Sequence, residues 1–483
     1  MRAFDEQNIN PNVLATQYAV RGRLVLEANE IDKQIQEALK AGKPNPYPFD
    51  KVVYCNIGNP QFCNQPPLTY VRQIISMVEF PPLLDHPEIF PKDLIDHAKT
   101  LVKATGCDGT TGAYSHSMGV MGFRKSVCEF IGDRDGDKPS PEDIFITDGA
   151  STGIKLIMNV LLSHQRHGIM IPIPQYPLYS ATIATLGGTL VPYYLDESKM
   201  WATDMESVRE MYDKYTKQGT IVKGFVVINP GNPTGQVLTV DNMKEIIEFC
   251  YERKLCLMAD EVYQENIWSD VPFTSFRKVL HTMRDEVRHG LELISFFSVS
   301  KGYYGECGKR GGYFQLENIN QFARSQLYKM VSVNLCSNVV GQEVVELICN
   351  PPKEGDESFP LYKKEKEEIL GSLMRKAKLL ANALNECEGI SCNPACGALY
   401  LFPKIDLPQK FVDECLAQKE KPDEIYCLNM LKKIGVCVVP GSGFEQKEGT
   451  YHYRMAFLPP EDQVQKVADS MKKFHNEFME QYE

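Results

Sequence analysis

The chain has 483 residues, a formal net charge of -11 and a hydrophobic fraction of 43%. A chain of this length is too long to fold around one small hydrophobic core, so we expect two or more domains. The acidic balance argues against nucleic acid or an anionic membrane as the main partner, although a local arginine cluster can still bind a small anion.

The cysteine pattern indicates reduced thiols. The 15 cysteines are an odd number and none forms a C-x-x-C pair, so we expect neither a disulfide framework nor a metal site. No apolar run has the length of a membrane span. The N-terminal stretch MRAFDEQNINPNVL resembles neither a signal nor a transit peptide, and the terminal MEQYE matches no peroxisomal tripeptide. We therefore expect a cytoplasmic protein, with a mitochondrial location kept open.

The first fifty residues predict a helical arm, because RLVLEANEIDKQIQEALKAG has apolar residues at helical spacing and stops at Gly42. From about residue 90 to 340, short β-rich runs alternate with helical stretches such as TVDNMKEIIEFCYERK. The β-rich runs are DIFITDGA, GIMIPIP, TLVPYYL, IVKGFVVINP, LCLMADEVY and ELISFFSVSK. Since these runs are apolar on both faces and have helices between them, they predict an α/β domain with a mostly parallel sheet.

A smaller α+β domain is predicted after the break NPPKEGDESFP. A long helical pattern, YKKEKEEILGSLMRKAKLLANALNECEG, follows the break and precedes the short strand patterns ALYLFPKI, VCVVPG and YRMAF. We expect the N-terminal segment to pack with this domain. The predicted division is a helical arm at 1–50, the N-terminal part of the small domain at 51–89, the large domain at 90–345, and the C-terminal small domain with its long connecting helix at 346–483.

Polar residues stand where the predicted strands end, which is where parallel α/β sheets bind ligands. DIFIT is followed by DGASTG, whose small residues open a helix and leave N–H groups free for an anion. A plain N-cap at Ser151 or Thr152 explains the same pattern. GIMIPIP is followed by PQYPLY, in which Tyr176 can stack on a flat ring or belong to a rigid surface turn.

Three further strand ends carry polar groups. VVIN is followed by PGNPTG, whose prolines and glycines fix the backbone and leave the polar side chain of Asn232 free to contact a ligand. A simple turn explains the same pattern. LCLMAD ends at Asp260, a carboxylate that is costly to bury without a cation, unless it caps a helix. ELISFFSVS leads to Lys301, which alone is as consistent with a solvated loop. Arg310 lies nine positions after Lys301.

Together these groups match what pyridoxal 5'-phosphate needs. Its aldehyde needs a lysine amine, its ring nitrogen an anion, its phenolic oxygen hydrogen-bond donors, and its phosphate N–H groups, hydroxyls and a cation. Each motif alone is weak, but the ordered set is hard to obtain by chance. A nucleotide-binding protein that uses the small-residue loop for phosphate is the unrelated alternative, and it leaves Lys301 unexplained.

From about residue 50 onward, the sequence resembles the class I/II aminotransferases of fold type I, which depend on pyridoxal phosphate. The stretches that carry the resemblance are YCNIGNPQ, GAYSHSMG, PIPQYPLYSA, NPGNPTGQV, DEVYQENI, SVSKGYYGECGKRGGY and PGSGF. Within this family they resemble the alanine aminotransferases, most specifically in SKGYYGECGKRGG. The resemblance implies a large cofactor-binding domain on a mostly parallel sheet, a smaller α+β domain, and a homodimer with sites at the subunit interface.

The resemblance also implies roles for individual residues. The implied catalytic residues are Lys301, Asp260 and Tyr263. The implied cofactor-binding residues are Lys301, Asp260, Asn232, Tyr263, Tyr176, Ala150, Ser151, Ser298, Arg310 and, from a neighbouring subunit, Tyr114. The implied substrate-binding residues are Arg454, Gly58 and Asn232.

The implied activity is a reversible, ping-pong exchange of an amino group between L-alanine and 2-oxoglutarate. In it, Lys301 would bond to the cofactor aldehyde and move a proton, Asp260 would pair with the ring nitrogen, and Arg454 would grip the substrate α-carboxylate. One alternative is an aminotransferase that uses glutamate and glyoxylate. Two other enzymes on the same cofactor are also alternatives: a carbon–sulfur lyase and the synthase of the ethylene precursor. A last alternative is a regulator of the same fold without catalytic activity, and the presence of Lys301, Asp260 and Arg454 argues against it.

Overall fold

The computed structural model describes residues 4–5, 7–18, 22–106, 111–270 and 272–482. Parts of the predicted N-terminal arm, Cys107 and the last residue of MEQYE lie outside the described residues: 1–3, 6, 19–21, 107 and 483. In the described ranges, no helix combines the length and the apolar character needed to cross a membrane. The cysteines in these ranges are unpaired thiols.

The strands in the described part of the chain are β1 (Val53–Tyr54), β2 (Ile144–Thr147), β3 (His167–Ile173), β4 (Thr189–Asp196), β5 (Ala202–Thr203), β6 (Ile221–Ile228), β7 (Cys256–Asp260), β8 (Leu293–Ser298), β9 (Gly312–Glu317), β10 (Ile390–Ser391), β11 (Tyr400–Leu401), β12 (Lys404–Ile405), β13 (Val436–Cys437), β14 (Val439–Pro440) and β15 (Tyr453–Ala456).

Eight of these described strands form the central sheet, in the order β2-β9-β8-β7-β6-β3-β4-β5. The pairs β3–β4, β3–β6, β6–β7 and β7–β8 are parallel. β9 lies antiparallel between β2 and β8, and β5 runs antiparallel to β4. The predicted α/β fold with a mostly parallel sheet is therefore confirmed.

The helices of the described residues are α1 (Pro11–Leu14), α2 (Arg23–Lys40), α3 (Thr69–Glu79), α4 (Lys92–Ala104), α5 (Met121–Asp135), α6 (Ala150–Leu161), α7 (Leu178–Thr185), α8 (Met205–Lys217), α9 (Val240–Arg253), α10 (Phe276–Leu280), α11 (Asp285–Gly290), α12 (Gln321–Val333), α13 (Val339–Cys349), α14 (Phe359–Asn385), α15 (Gln409–Ala417), α16 (Pro422–Ile434) and α17 (Glu461–Glu480).

The central sheet is buried on both faces. Val226 and Ile228 of β6 belong to one apolar cluster, whereas the alternate residues Phe225 and Val227 belong to another. Because successive side chains of a strand point to opposite faces, the two clusters lie on the two sides of the sheet. Helices therefore cover both faces, as a parallel sheet requires.

The carboxyl ends of six strands lie at one edge of the sheet. β3, β4, β6, β7 and β8 run parallel to one another, and β2 shares their direction because β9 is antiparallel to both β2 and β8. The loops after β2, β3, β6, β7 and β8 carry the polar motifs of the sequence. This arrangement brings residues that are distant in sequence to one place.

The smaller part of the structure is built on the antiparallel sheet β11-β15-β14, against which α14 and α16 pack, and α17 packs against these two helices. β1 pairs in parallel with β13, and α2 packs against α16. In the structure, the N-terminal segment thus lies against the C-terminal region. The three boundaries between the four predicted segments stay predictions.

Candidate active site

A cavity of about 670 Å³ lies at the carboxyl edge of the sheet, facing the smaller domain. All but one of the residues predicted for the site line it: Gly58, Ala150, Ser151, Tyr176, Asn232, Asp260, Tyr263, Ser298, Lys301, Arg310 and Arg454. This volume is within the range of about 300–1,000 Å³ that small-molecule sites usually have. The structure therefore brings eleven separate positions to one space that can hold a ligand.

Lys301 follows β8 and lines the cavity. Its Nζ donates a hydrogen bond to the Gly58 carbonyl at 2.7 Å. Gly58 must lack a side chain, because a Cβ there would lie 3.0 Å from Lys301 Nζ and 2.1 Å from the Tyr400 hydroxyl. The amine is thus held by a neutral carbonyl beside an open space, where a ligand carbonyl carbon can reach it.

Asp260 ends β7 and is 4% exposed. Tyr179 donates a hydrogen bond to its Oδ2 at 2.6 Å, and the N–H of Val262 donates to Oδ1 at 3.4 Å. Desolvation raises the pKa of Asp260 to about 6, although these hydrogen bonds and the charge of Lys301 act in the other direction. A turn follows, so Asp260 does not cap a helix. Such a buried carboxylate is stabilised by a cation, for example a protonated ring nitrogen.

A second part of the cavity suits an anion. α6 begins at Ala150 without a side-chain cap, so Ser151 is not its N-cap and the N–H groups of the first turn need other acceptors. Arg310 Nη2 lies 3.4 Å from Ser151 Oγ, and a Cβ on Gly149 would meet this nitrogen at 2.5 Å. The buried Ser298 also lines this cavity. A helix N-terminus, two hydroxyls and a guanidinium are the groups that bind phosphate.

Arg454 on β15 is buried, and its guanidinium is held from several sides. Nη1 donates to Asn232 Oδ1 at 3.0 Å, and Nη2 donates to the Asn56 carbonyl. Cζ lies 4.2 Å from the ring centre of Tyr400 and 4.8 Å from that of Phe444. Among the described residues, its buried Nε has no hydrogen-bond partner and no carboxylate pairs with it. A permanently charged, unpaired guanidinium of this kind suits a ligand carboxylate.

Tyrosine hydroxyls and one amide complete the polar wall. Asn232 Nδ2 donates to Tyr263 Oη at 3.5 Å, and Tyr263 Oη donates to Tyr400 Oη at 3.1 Å. Burial raises the pKa of Tyr263 well above its ordinary value, with Tyr400 adding to the shift, so the Tyr263 hydroxyl stays protonated. Tyr176 lies with its hydroxyl 2.8 Å from that of Tyr18. The Tyr176 ring lines the cavity, where it can stack on a flat ligand.

Tyr114 is the predicted site residue that the single chain does not bring to the cavity. Its side chain is 78% exposed. The next residue, Ser115, accepts a hydrogen bond from Gln342 at 2.9 Å, which fixes this segment at the molecular surface. The contact predicted for Tyr114 therefore requires a second subunit.

Four further residues contact or line the site without a motif that predicted them: Tyr18, Tyr179, Ser300 and Tyr400. Tyr179 lies three residues after Tyr176, one turn further along the chain at the start of α7, and this spacing could have indicated it. Tyr400 stands in a short strand of the other domain, and no local pattern separates it from an ordinary core tyrosine.

A second cavity, of about 830 Å³, lies between β4 and the smaller domain. None of the predicted site residues lines it. Its His452 has both ring nitrogens occupied, by Gln446 at 3.0 Å and Glu197 at 3.1 Å. In the described part of the chain, no group of three or more His, Cys, Asp and Glu side chains could hold a metal ion.

The donor set fits pyridoxal 5'-phosphate on three structural grounds. Asp260 is a buried carboxylate in need of a cation, α6 offers an uncapped N-terminus beside Arg310, and Lys301 presents an amine in the same cavity. These features correspond to the ring nitrogen, the phosphate and the aldehyde of that cofactor. Fold and site together define a pyridoxal-phosphate-dependent α/β enzyme.

Comparison with known proteins gives the family. Residues 88–471 match the family described as Aminotransferase class I and II. Alanine aminotransferase 2 of Panicum miliaceum is 48% identical over 483 residues, covering 99% of this chain and 98% of that protein. Glutamate–glyoxylate aminotransferase 2 of Arabidopsis thaliana is 46% identical, covering 100% of this chain and 98% of that protein. The chain belongs to the class I and II aminotransferases, as the sequence predicted.

Solved structures show the same fold. An aminotransferase from Escherichia coli superposes with a TM-score of 0.74 at 24% identity, covering 97% of this chain and 98% of that chain. An alanine aminotransferase from Pyrococcus furiosus gives 0.73 at 23% identity, covering 97% and 99%.

Proposed function

We propose that the chain catalyses the reversible exchange of an amino group between L-alanine and 2-oxoglutarate, which yields pyruvate and L-glutamate. The observation that carries the proposal is one cavity that combines a lysine amine, a buried carboxylate and a guanidinium in contact with two aromatic rings. Relatives that are 48% identical over nearly the whole chain, from Panicum miliaceum and Dictyostelium discoideum, are named as alanine aminotransferases, the second as a probable one.

The cavity residues would hold pyridoxal phosphate by its reactive groups. Lys301 Nζ would bond to the aldehyde carbon, and Asp260 would keep the ring nitrogen protonated. When bound, the cofactor supplies a ring that accepts the electron pair of the bond that breaks at the substrate Cα. The remaining residues proposed to contact the cofactor are Asn232 and Tyr263 at the ring oxygen, Tyr176 on the ring face, and Ala150, Ser151, Ser298 and Arg310 at the phosphate.

The substrate would be placed by its carboxylate. Arg454 would bind this carboxylate with a planar pair of N–H donors, and Asn232 keeps that plane fixed. Because Gly58 has no side chain, the substrate Cα can come close to Lys301 Nζ. The substrate amine would first displace Lys301 Nζ from the aldehyde carbon, which frees the lysine amine. Lys301 would then take the proton from Cα and return it as a general acid–base catalyst.

An absorbance spectrum tests the proposal. We expect a yellow protein whose visible band gives way to a shorter-wavelength band when L-alanine is added. Lys301→Ala should lose this band and its turnover, whereas the control Lys329→Ala, on the exposed face of α12, should keep both. A wild-type protein that stays colourless with added pyridoxal phosphate would contradict the proposal.

A second candidate activity is the transfer from glutamate to glyoxylate. It is favoured by the two Arabidopsis thaliana relatives of that name, which are 46% identical over 486 and 487 residues. Steady-state rates with alanine plus 2-oxoglutarate and with glutamate plus glyoxylate separate the two. A kcat/KM at least tenfold higher for the first pair supports the alanine assignment, and the reverse order overturns it.

We also propose a homodimer in which Tyr114 of one subunit reaches the phosphate of the other. Its 78% exposure and its place outside the cavity support this arrangement. The test mixes wild-type protein with a chain that carries both Lys301→Ala and Tyr114→Phe. If Tyr114 acts across the interface, mixed dimers have no intact site and activity falls below that of the wild-type fraction alone. Activity equal to the wild-type subunit content, or a monomer on sedimentation, contradicts the proposal.

We propose the cytoplasm as the location. Unpaired thiols at all fourteen described cysteines suit a reducing compartment. The relatives from Dictyostelium discoideum and Arabidopsis thaliana whose names include "mitochondrial" represent the alternative. Subcellular fractionation with an antibody against the chain decides between them.

A further inference from the structure

Tyr400 contacts site residues that lie far from one another in the sequence. It lies on β11 of the smaller domain, is 2% exposed, and lines the cavity that Lys301 and Arg454 share. Its ring and its hydroxyl contact different functional groups. The two contacts can therefore be tested separately.

The Tyr400 ring forms one side of a clamp on Arg454. The guanidinium carbon lies 4.2 Å from this ring centre, and the ring of Phe444 lies on the guanidinium at 4.8 Å. Hydrogen bonds to Asn232 and to the Asn56 carbonyl hold the edge of the same guanidinium. Cation–π contacts to a desolvated arginine are stabilising, so the two rings limit its tilt.

The Tyr400 hydroxyl lies beside the groups that would carry the reaction. It accepts a hydrogen bond from Tyr263 at 3.1 Å. A Cβ placed on Gly58 would lie 2.1 Å from this hydroxyl and 3.0 Å from Lys301 Nζ, so both groups border the same small space. The Tyr400 side chain thus contacts both Arg454 and Tyr263 and borders the space around the Lys301 amine.

The direction of the shift in the pKa of Tyr400 agrees with this geometry. Burial acts to raise the pKa of Tyr400, but the charges of Lys301 and Arg454 and the hydrogen bond from Tyr263 outweigh it, and the pKa lies below its ordinary value. Cys307 is the further titratable neighbour, and it acts in the direction of burial. The tyrosine is therefore set in a cationic part of the site rather than in neutral core.

We propose that Tyr400 is a positioning residue: its ring holds Arg454 flat for the substrate carboxylate, while its hydroxyl fixes Tyr263 beside Lys301. The inference rests on the proposed function, since it assigns Arg454 to the substrate. It predicts that loss of the hydroxyl and loss of the ring have different consequences. The first disturbs the reacting end of the site, and the second disturbs carboxylate binding as well.

Two variants of the holoenzyme separate these effects. Tyr400→Phe keeps the ring, so the KM for L-alanine should change by less than about threefold while kcat falls by about three- to tenfold, as expected for one neutral hydrogen bond. Tyr400→Leu removes the ring too, so the KM should also rise, by about tenfold, as expected for a buried cation–π contact. Tyr193→Phe is the matched control, because this buried tyrosine donates to the Val226 carbonyl in the core outside the cavity.

Binding of propanoate, which is alanine without its amino group, gives a readout without turnover. Calorimetric titration of the holoenzyme should show a Kd close to wild type for Tyr400→Phe and a Kd about tenfold weaker for Tyr400→Leu. Phe444→Leu removes the other ring that contacts Arg454 and should weaken propanoate binding similarly. This variant keeps the inference testable if the Tyr400→Leu protein does not fold.

The outcomes distinguish this inference from the proposed function. A wild-type enzyme that binds propanoate and transaminates alanine, with all Tyr400 variants equal to it, overturns the role of Tyr400 only. The role of Tyr400 is also overturned if Tyr400→Phe and Tyr400→Leu lower kcat by the same factor and raise KM by the same factor. A wild-type protein that neither binds propanoate nor uses alanine overturns the function itself.

Discussion

Replacing Asp260 by asparagine should have opposite effects on the cofactor-free and the cofactor-bound protein. Burial raises the pKa of this carboxyl from its ordinary value of 3.8 to about 6, so the folded chain favours the protonated form. The cofactor-free wild type therefore loses stability as the pH rises from about 4 through 6, by at most about 3 kcal/mol. The substituted amide would carry no charge, and its carbonyl can still accept the hydrogen bond from Tyr179.

Thermal unfolding of the cofactor-free proteins measures this difference. At pH 8 the Asp260→Asn variant should melt about 3 °C above wild type, given an unfolding entropy of about 2.1 cal/mol/K per residue. The gap should be about half as large at pH 5 and should nearly close at pH 4. Asp213→Asn, at an exposed position of α8, is the control and should show no such trend.

The bound protein should respond in the opposite sense. Asp260 then faces the proposed ring nitrogen, and loss of a charged hydrogen bond should weaken cofactor binding about 10- to 100-fold. Absorbance after dialysis measures the retained cofactor. A cofactor-free Asp260→Asn protein that melts below wild type at pH 8, or by a pH-independent difference, would refute the reasoning about this carboxylate.

Three further outcomes follow from the geometry. Arg454→Lys should lower kcat/KM for L-alanine about 100-fold with cofactor absorbance retained, because a point charge cannot replace the planar guanidinium; steady-state rates within threefold of wild type would contradict this. Gly58→Ala should lower kcat/KM at least about tenfold, since its Cβ would lie 3.0 Å from Lys301 Nζ; the melting temperature serves as the check on folding. His281 and Arg277 overcome the effect of burial and lower the pKa of Glu317 to about 2. The ionised Glu317 therefore stabilises the fold above about pH 4.5. Urea unfolding should show that Glu317→Gln lowers the free energy of unfolding by about 3 kcal/mol at pH 7 and by progressively less towards pH 3. A difference that does not change with pH would contradict this.

The sheet and the edge that carries the site could be predicted because both depend on local patterns. Apolar runs mark the strands, and Asn232, Asp260 and Lys301 stand at or shortly after the ends of three of them. β9 was not predicted, since the buried Gln315 interrupts its apolar pattern. That polar side chain is tolerated because it donates to Leu316 O and lies 3.1 Å from Glu317.

The contribution of the smaller domain could be predicted only in part. Arg454 was found through its motif, but its clamp depends on Tyr400 and Phe444, whose approach is fixed by tertiary packing and leaves no periodic signal. The spacing of Tyr179 from Tyr176 indicates only that the two lie near each other, and the fold is needed to show that the Tyr179 hydroxyl reaches Asp260.

The pairing of β1 with β13 has a consequence for biosynthesis. Gly58 follows four residues after β1, and it is seated only once a strand near the other end of the chain has been made. A nascent chain can therefore form its central sheet before the strand that pairs with β1 has been made. We expect chains that stop before residue 436 to be inactive, and activity to begin only after both β13 and Arg454 have been translated.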